Sequence, residues 1–310
     1  MGIVNPLDII RPYGRTVTLC GADEEVNHPQ GELTTDQAVD YLPEIRVCRN
    51  QAVDRREEAL MPDFVGRIVL ITGAASGIGL ATAHRFAAEG ATVLLADRNA
   101  EGVQTALQSL GAGPYQAMPF DVTDEAAWIA VAKRITGSYG RLDILVNNAG
   151  FGSFKSIADT SLDQWRSILA VNLDSVFLAT KYLLPLLAVS GRGAIVNISS
   201  IRGIVAAPFT GSYCAAKGGV RMFTKATALE CAALGNGVRA NSIHPGHIAT
   251  PLSAPAYADP KIAQKLLDDV PVGRIGEASE VADAILFLAG DQSRYMTGAE
   301  LVIDGGTTAQ

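Results

Sequence analysis

Tyr213 and Lys217 stand four positions apart in the stretch SYCAAKGG, among very small side chains. Positions i and i+4 of a helix lie on one face, so the phenol and the ammonium would be neighbours. A tyrosine is a poor acid or base at neutral pH because its ordinary pKa is about 10, and a nearby positive charge lowers that pKa. Such a pair can take part in proton transfer. Taken alone, however, it is better explained by an ordinary amphipathic helix, so the functional interpretation depends on the rest of the chain.

A second signal is the glycine-rich stretch TGAASGIG at 72–79, which lies between the apolar segment RIVLIT and a helical pattern. That context is typical of a dinucleotide-binding turn. The glycines permit a tight turn and close approach to a pyrophosphate, while the start of the helix offers free N–H groups and a positive dipole end. The cofactor-binding residues predicted from this turn are Gly73, Ser76, Gly77, Ile78 and Gly79.

The end of the second apolar segment bears on the choice between NAD and NADP. Asp97 lies 24 positions after Gly73, where a carboxylate accepts hydrogen bonds from the adenosine ribose and repels a 2′-phosphate. Neither Ala75 nor Ser76 adds a positive charge, so NAD is predicted in preference to NADP. The adjacent Arg98 keeps NADP open, because it could stack on adenine or reach a phosphate.

Composition argues against several other functions. The 310 residues carry a net charge of −7, which does not favour nucleic acid or an anionic membrane surface as a partner. The four cysteines show neither a disulfide framework nor zinc-site spacing, so no metal is predicted and a reducing, cytoplasmic location is expected. No secretory signal is visible, and the apolar stretch YLLPLLAV at 182–189 is too short to span a membrane.

The chain is predicted to divide near residue 62. Residues 1–61 hold eleven acids, six arginines and no lysine, without a sustained helical or strand period, and we expect an acidic N-terminal extension of unknown role. It could be a disordered tail, an arm packed on a neighbouring subunit, or a segment upstream of a natural start at Met61. Residues 62–310 are predicted to form one NAD(P)-binding domain.

From residue 65 onward, apolar segments alternate with helical patterns, and these elements must position the residues named above. The helices include one over 124–140, with Thr123 as its N-cap, and a long one over about 162–189. Strands that are covered by helices on both faces form a parallel sheet with right-handed crossovers. The sequence therefore predicts an α/β fold, a doubly wound (Rossmann-like) seven-stranded parallel sheet with helices on both faces. The predicted strands are 67–72, 92–97, 115–121, 143–148, 193–199, 239–245 and 300–304.

Several short motifs now occur in a fixed order along the chain. They are TGAASGIG, DV at 121–122, NNAG at 147–150, Asn172, Ser200, Tyr213-x-x-x-Lys217 and HPG at 244–246. In this order and spacing the chain resembles the short-chain dehydrogenase/reductase superfamily, of the compact single-domain type. The resemblance covers about residues 64–306 and leaves residues 1–61 outside.

The resemblance implies roles for individual residues. Tyr213 would be the general acid/base, and Lys217 would bind the nicotinamide ribose and lower the tyrosine pKa. Ser200, thirteen residues before Tyr213, would orient the substrate oxygen in preference to Ser199, and Asn172 would hold a water in a proton relay. The further cofactor contacts that the resemblance implies are Asp121, Val122, Asn147, Ala149, Gly150, Pro245, Gly246, Ile248 and Thr250.

The expected effect of Lys217 on Tyr213 can be given a size. A unit charge at about 5 Å in an effective dielectric of about 20 contributes roughly 3 kcal/mol, or about two pKa units. Before any desolvation opposes it, this would bring the pKa of Tyr213 to roughly 8. A tyrosine with that pKa could serve as a general base in alcohol oxidation.

The implied function is that of an NAD(H)-dependent oxidoreductase that interconverts a secondary alcohol and a ketone, its small-molecule substrate. One alternative is an NADPH-dependent carbonyl or 3-oxoacyl reductase, against which Asp97 argues. Another is a non-enzymatic dinucleotide sensor or scaffold, against which the retained catalytic residues argue. A homo-oligomer, tetramer or dimer, is expected through the helices near 162–189 and 211–233. Residues 249–275 are expected to form a mobile substrate loop with a short helix.

Four residues near these motifs have less specific interpretations. Arg202 could contact an acidic substrate, lie in solvent or touch another subunit. His247 could face the substrate or the surface of its loop. Cys214 is predicted to pack rather than to act as a redox centre, and His84 is predicted to be structural.

Overall fold

The computed structural model describes residues 64–310, and every structural statement below concerns that part of the chain. The predicted N-terminal extension, residues 1–61, lies outside the described residues. The division near residue 62 therefore stays a prediction.

Seven strands form one parallel sheet, which confirms the predicted doubly wound fold. The strands of the described chain are β1 (Ile68–Thr72), β2 (Thr92–Asp97), β3 (Tyr115–Pro119), β4 (Ile144–Asn147), β5 (Ala194–Ile198), β6 (Arg239–Pro245), β7 (Ile248–Ala249), β8 (Gly276–Glu277) and β9 (Glu300–Ile303). The sheet order is β3-β2-β1-β4-β5-β6-β9, while β7 and β8 pair only with each other. The order reverses between β1 and β4, where Leu70 lies opposite Leu145. In such sheets the crevice beyond the carboxyl ends of the strands at this reversal is the usual ligand site.

Helices connect successive strands and cover both faces of the sheet. In the described chain they are α1 (Gly77–Ala88), α2 (Ala100–Ser109), α3 (Glu125–Tyr139), α4 (Leu162–Leu169), α5 (Ser175–Ser190), α6 (Gly211–Ala233), α7 (Ala254–Ala258), α8 (Pro260–Asp268) and α9 (Ala278–Ala289). Helix α8 is the short helix predicted in the substrate loop, and its apolar residues are not buried in the core.

The core lies on both sides of the sheet because side chains alternate along each strand. On β1, Val69 and Ile71 belong to the apolar cluster that includes Phe86 of α1. Leu70, between them in sequence, belongs to the opposite cluster, together with Trp128 of α3. Every residue of β1 is buried, as expected for a central strand that is covered on both faces.

The N-cap predicted for α3 is wrong by one residue. Asp124 caps this helix, and its carboxylate accepts a hydrogen bond from the backbone N–H of Ala126 at 2.8 Å. The Thr123 hydroxyl is engaged elsewhere, because it donates to Oδ1 of Asp121 at 2.8 Å. Asp124 is therefore the N-cap residue, and α3 begins at Glu125.

The long helix predicted over about 162–189 is interrupted. Helices α4 and α5 are joined by a π-helical turn, Ala170–Asp174, which contains Asn172. Such turns insert one extra residue per turn and occur often at functional sites. The interruption changes the direction in which the middle of this helical run presents its side chains.

The helical run Leu162–Ser190 is long and apolar enough to cross a membrane by length and composition. It is longer than the apolar stretch at 182–189 that the sequence suggested. Core helices of globular proteins meet the same criterion, and here 44% of the apolar window is buried inside the protein. Leu183 and Leu187 are among the fully buried side chains. Packing in the core therefore accounts for part of the apolar composition.

Candidate active site

The glycine-rich turn joins β1 to α1 at the carboxyl edge of the sheet. Gly73 and Gly77 have positive φ values of 66° and 54°, which glycine adopts without strain. A Cβ on Gly73 would lie 2.9 Å from the Cα of Ala149, and one on Gly79 would lie 2.2 Å from the carbonyl oxygen of Gly73. The backbone therefore passes so close to its neighbours here that side chains are excluded.

A cavity of about 190 Å³ opens beside this turn. Ser76 precedes α1, but its side chain makes no capping hydrogen bond, and the first turn of α1 holds no acidic residue. The first N–H groups of a helix lack partners within the helix and carry a positive partial charge, which suits a phosphate. The residues that line the cavity are Gly73, Ser76, Gly77, Ile78, Asp97, Asn148, Ala149, Gly150, Asn172, Ile198, Lys217, Thr250, Pro251 and Leu252.

Asp97 stands where this cavity meets an adjoining one of about 120 Å³. Its Oδ2 accepts a hydrogen bond from the Ala75 N–H at 3.2 Å, and its Oδ1 accepts one from the Asn99 N–H at 2.9 Å. A carboxylate has about four acceptor positions, so Asp97 keeps capacity for two hydroxyl groups. The residues that line the second cavity are Gly73, Asp97, Arg98, Phe120, Asp121, Val122, Ala149, Gly150, Phe151 and Val171.

Asp121 supplies a second carboxylate to the smaller cavity. The hydrogen bond from the Thr123 backbone N–H, 2.9 Å long, holds the pKa of Asp121 below its usual value. Burial opposes this effect, whereas the Thr123 hydroxyl and the charge of Arg98 add to it. Asp121 therefore stays ionised and can accept a hydrogen bond from an amino group.

The two asparagines of NNAG have different surroundings. Asn147 lies beneath the cavities: its Nδ2 donates to Oδ1 of Asn197 at 2.8 Å, and Asn197 in turn donates to Thr224 at 2.9 Å. These bonds join β4, β5 and α6. Asn148, which the sequence interpretation did not single out, lines the larger cavity and donates to the Thr72 carbonyl at 2.9 Å. Its position inside the NNAG motif was the sequence signal that could have identified Asn148 as a lining residue.

Ser200 follows β5, and Tyr213 lies in the first turn of α6. The two side chains are close enough for Ser200 to lower the pKa of Tyr213, and neither residue lines the two cavities described above. Oγ of Ser200 also accepts a hydrogen bond from the Arg202 N–H at 3.1 Å. The Ser199 hydroxyl instead donates to the Lys217 carbonyl at 2.9 Å. Of the two serines, Ser200 is the one whose side chain acts on Tyr213, and its role toward a substrate stays a prediction.

Lys217 is buried one helical turn beyond Tyr213. Its Nζ donates to the Ile198 carbonyl at 2.8 Å and lies 5.7 Å from the centre of the Tyr213 ring. Within residues 64–310, no ion pair includes this lysine. Burial lowers the pKa of Lys217 to about 8, because desolvation disfavours the charged form.

The pKa of Tyr213 is shifted opposite to the expected direction. Burial raises this pKa, and the lowering by the Ser200 hydrogen bond and by the charge of Arg202 is smaller. The figure of about 8 for the pKa of Tyr213 applied before desolvation was considered. In the folded chain desolvation is the largest effect on this pKa, and it acts on both members of the pair.

Asn172 presents an unpartnered oxygen to the larger cavity. Its Nδ2 donates to the carbonyls of Phe151 and Ile168, both at 3.0 Å, which fixes the amide within the π-helical turn. Its Oδ1 is buried and has no partner in the described chain. A Cβ on Gly150 would lie 2.6 Å from this oxygen and 3.4 Å from Nζ of Lys217. A glycine therefore leaves space between the amide and the ammonium.

The loop after β6 brings Thr250 to the larger cavity. A Cβ on Gly246 would lie 2.7 Å from the Cβ of Asp304, so this loop packs closely against the chain that follows β9. The predicted loop residues that do not line either cavity are Pro245, Gly246 and Ile248, and their cofactor contacts stay predictions. The lining residues that were not predicted from this loop are Pro251 and Leu252.

Two other residues make local contacts away from these cavities. The ring Nε2 of His84 lies 3.1 Å from the Ser109 hydroxyl, and Sγ of Cys214 lies 3.1 Å from the Thr210 hydroxyl. The structural role expected for His84 and the packing role expected for Cys214 stay predictions. Across residues 64–310, no group of three or more His, Cys, Asp or Glu side chains is arranged to hold a metal ion.

The fold and this site define a doubly wound dinucleotide-binding protein. Residues 73–308 match the family described as Enoyl-(Acyl carrier protein) reductase. The chain belongs to the short-chain dehydrogenase/reductase superfamily of nicotinamide-dependent oxidoreductases.

Individual relatives cover the same region. An NADP-dependent (R)-specific alcohol dehydrogenase from Lentilactobacillus kefiri is 40% identical over 250 residues, which are 79% of this chain and 98% of the relative. A cyclopentanol dehydrogenase from Comamonas sp. (strain NCIMB 9872) is 42% identical over 245 residues, or 78% and 97% of the two chains. The crystal structure of levodione reductase superposes with a TM-score of 0.76 at 35% identity and covers 79% of this chain and 99% of its own.

Proposed function

We propose that the protein is an NAD(H)-dependent enzyme that interconverts a secondary alcohol and a ketone, with Tyr213 as general acid/base. The observation that supports this most strongly is the proximity of Tyr213 to both Ser200 and Lys217. Ser200 acts on the pKa of Tyr213, and Nζ of Lys217 lies 5.7 Å from the centre of the Tyr213 ring. Lys217 and Asn172 line the larger cavity. The relatives named alcohol dehydrogenase and cyclopentanol dehydrogenase agree with this reaction class.

The residues fit a nicotinamide dinucleotide. The uncapped start of α1 would hold the pyrophosphate, and Asp97 would accept hydrogen bonds from the adenosine ribose. Asp121 would receive the adenine amino group, and Lys217 would bind the nicotinamide ribose. When bound, the cofactor would supply the hydride donor or acceptor.

The chain's own residues would control the proton. The Ser200 hydroxyl would hydrogen-bond the substrate oxygen. The phenol of Tyr213 would donate a proton to a ketone, and its phenolate would accept one from an alcohol. Burial raises the pKa of Tyr213, so the side chain is protonated at neutral pH, the form needed for reduction. The space between Asn172 and Lys217 would hold a water that exchanges this proton with solvent.

NAD is favoured over NADP because Asp97 stands at the junction of the two cavities with acceptor capacity free. NADP is the second candidate, since Arg98 lines the same cavity as Asp97 and one relative is named NADP-dependent. Binding titrations with NADH and NADPH separate the two. We expect tighter binding of NADH, and we expect Asp97→Ser to reduce that preference by at least about tenfold. Tighter binding of NADPH by the unaltered protein would refute the assignment of NAD.

Tyr213→Phe tests the catalytic role. We expect this variant to bind NADH nearly as well as the unaltered protein and to lose at least about 100-fold in kcat for every secondary alcohol or ketone that is turned over. Tyr295→Phe is the matched control, because Tyr295 is fully exposed. Unchanged turnover by Tyr213→Phe would refute the proposed role of Tyr213 as general acid/base. NADH binding without turnover by the unaltered protein would favour the sensor alternative.

We also propose that α5 and α6 pair with a second copy of the chain. Phe177, Met222 and Leu229 are exposed on these helices at 47%, 63% and 72%, and a soluble protein usually covers such side chains at an interface. Light scattering of the purified protein measures its mass, and Met222→Glu should reduce that mass. A monomeric mass for the unaltered protein would contradict the proposal.

A further inference from the structure

Arg202 is a half-buried cation next to the candidate catalytic serine. It lies in the 3₁₀ turn Ile201–Gly203, and its backbone N–H donates to the Ser200 hydroxyl at 3.1 Å. A Cβ on Gly203 would lie 2.7 Å from the Lys217 carbonyl, so the turn packs tightly against α6. The backbone of Arg202 is thus held at the same place as the catalytic side chains.

The guanidinium of Arg202 has no ion pair or hydrogen bond in the part of the chain that the structure describes. Other partly exposed arginines do have carboxylate partners: Arg141 lies 3.2 Å from Asp143, and Arg221 lies 2.7 Å from Glu300. A half-buried charge without a counter-ion carries a desolvation cost that a bound anion would offset.

A second unsatisfied group lies near Arg202. Nε2 of His247 is buried and has no partner among residues 64–310. Burial lowers the pKa of His247, and the charge of Arg202 lowers it further. The same charge acts on Tyr213, so the guanidinium is within electrostatic reach of both the catalytic phenol and this imidazole. An uncharged imidazole can donate one hydrogen bond to an anion.

We propose that Arg202 binds a carboxylate of the substrate, and that the substrate pair is a hydroxy carboxylate and its oxo carboxylate. The inference rests on the proposed function and names its substrate class. A planar guanidinium holds a carboxylate through two parallel hydrogen bonds. In oxidation, the carbinol C–H would leave as hydride to the oxidised dinucleotide, and the O–H proton would pass to Tyr213 in its phenolate form, which becomes the neutral phenol. The carboxylate would be unchanged.

A competing partner for Arg202 exists within the chain. Asp269 follows α8 in the expected substrate loop, and its charge raises the pKa of His247, against the stronger lowering by burial. The side chain of Asp269 is exposed and makes no ion pair in the described chain. If the loop closes, Asp269 could pair with Arg202 without any substrate carboxylate. The Asp269→Asn variant separates the two cases.

The test compares 3-oxobutanoate and 4-oxopentanoate with their methyl esters, which keep the ketone and remove the negative charge. We expect the unaltered enzyme to reduce at least one acid with a kcat/KM at least about tenfold above that of its ester. Arg202→Met should raise KM for that acid by about 10- to 100-fold and leave the ester within about threefold. Arg202→Lys should retain part of the preference, because it keeps the charge but loses the two-bond geometry. Arg134→Met, on the exposed side of α3, is the control.

Binding gives a readout that does not need turnover. In the Tyr213→Phe background with NADH present, Arg202→Met should weaken binding of the preferred acid by the same factor as it raises KM. Equal use of acids and esters, or turnover of neutral ketones alone, would overturn the carboxylate assignment and leave the proposed reaction class intact. If Asp269→Asn weakened use of the acid as much as Arg202→Met does, that result would also overturn the carboxylate assignment. It would favour a contact between Arg202 and Asp269 of the substrate loop. Absence of turnover with acids, esters and neutral ketones alike would instead reject the proposed function.

Discussion

Lys217→Met removes a buried charge while nearly keeping the length of the side chain, and its effect on stability should depend on pH. Burial lowers the pKa of Lys217 from 10.5 to about 8 in the folded protein. Below pH 8 the lysine is charged in both the folded and the unfolded states, and the folded state bears the whole desolvation cost. Above 10.5 it is neutral in both. The unfolded chain binds more protons between these values, so the contribution of Lys217 to stability rises with pH across this window.

The size of the effect follows from the two pKa values. The full shift corresponds to about 3 kcal/mol in the free energy of unfolding, at about 1.4 kcal/mol per pKa unit. Between pH 7 and pH 9, only part of the titration occurs, and linkage gives a gain of about 1.3 kcal/mol for the unaltered protein relative to Lys217→Met. Any change in the hydrogen bond to the Ile198 carbonyl as Lys217 loses its proton belongs to the folded-state pKa, so it adds no separate contribution to this comparison.

The assay is urea-induced unfolding of both proteins at pH 7 and pH 9 and constant ionic strength. The quantity of interest is the change, between the two pH values, in the difference between their free energies of unfolding. Lys133→Met, at an exposed position of α3, is the control and should show almost no change. A difference that stays constant within a few tenths of a kcal/mol, or that moves against the unaltered protein as pH rises, would refute the reasoning from burial.

Two further substitutions test the packing that holds the site. Gly79→Ala places a methyl group 2.2 Å from the carbonyl oxygen of Gly73 and should cost several kcal/mol of stability or prevent folding. The control is Gly137→Ala, which has open space at its Cβ and should be neutral or stabilising. Similar melting temperatures for the two variants would contradict the close approach at Gly79. Asp143→Ala removes a buried carboxylate that accepts the Ile68 N–H at 2.9 Å and pairs with Arg141. We expect about 2–4 kcal/mol of lost stability in chemical denaturation, and a loss below about 0.5 kcal/mol would show that these bonds are replaced by water.

The sheet could be predicted because its signals are local. Each central strand is a short apolar run, buried on both faces, and each is separated from the next by a helical pattern. The glycine-rich turn could be predicted for a similar reason. At Gly73 and Gly79 the neighbouring backbone leaves no room for a Cβ, so only glycine fits. Tyr213 and Lys217 are neighbours because α6 is a regular helix. Ser200 follows β5, a regular strand. The relative positions of these three residues could therefore be inferred from their spacing in the sequence.

The differences arise where several elements meet. Thr123 has a side chain suited to an N-cap, yet its hydroxyl donates a hydrogen bond to Asp121, and Asp124 is the residue that caps α3. Asn147 and Asn148 are identical in type, and only the positions of their neighbours direct one into the sheet and the other to the cavity. No periodicity in the sequence indicated the π-helical turn at Asn172.

The sequence by itself determined the class of the fold and the place of the glycine-rich turn, and it named Tyr213 and Lys217 as the candidates for proton transfer. Only the tertiary structure decided the electrostatic state of those side chains. The expected attraction between Lys217 and Tyr213 depends on one distance, whereas the pKa values of both depend on how many atoms exclude water around them. That exclusion is a sum over elements that are distant in sequence, and it therefore cannot be inferred from the spacing of two residues on one helix.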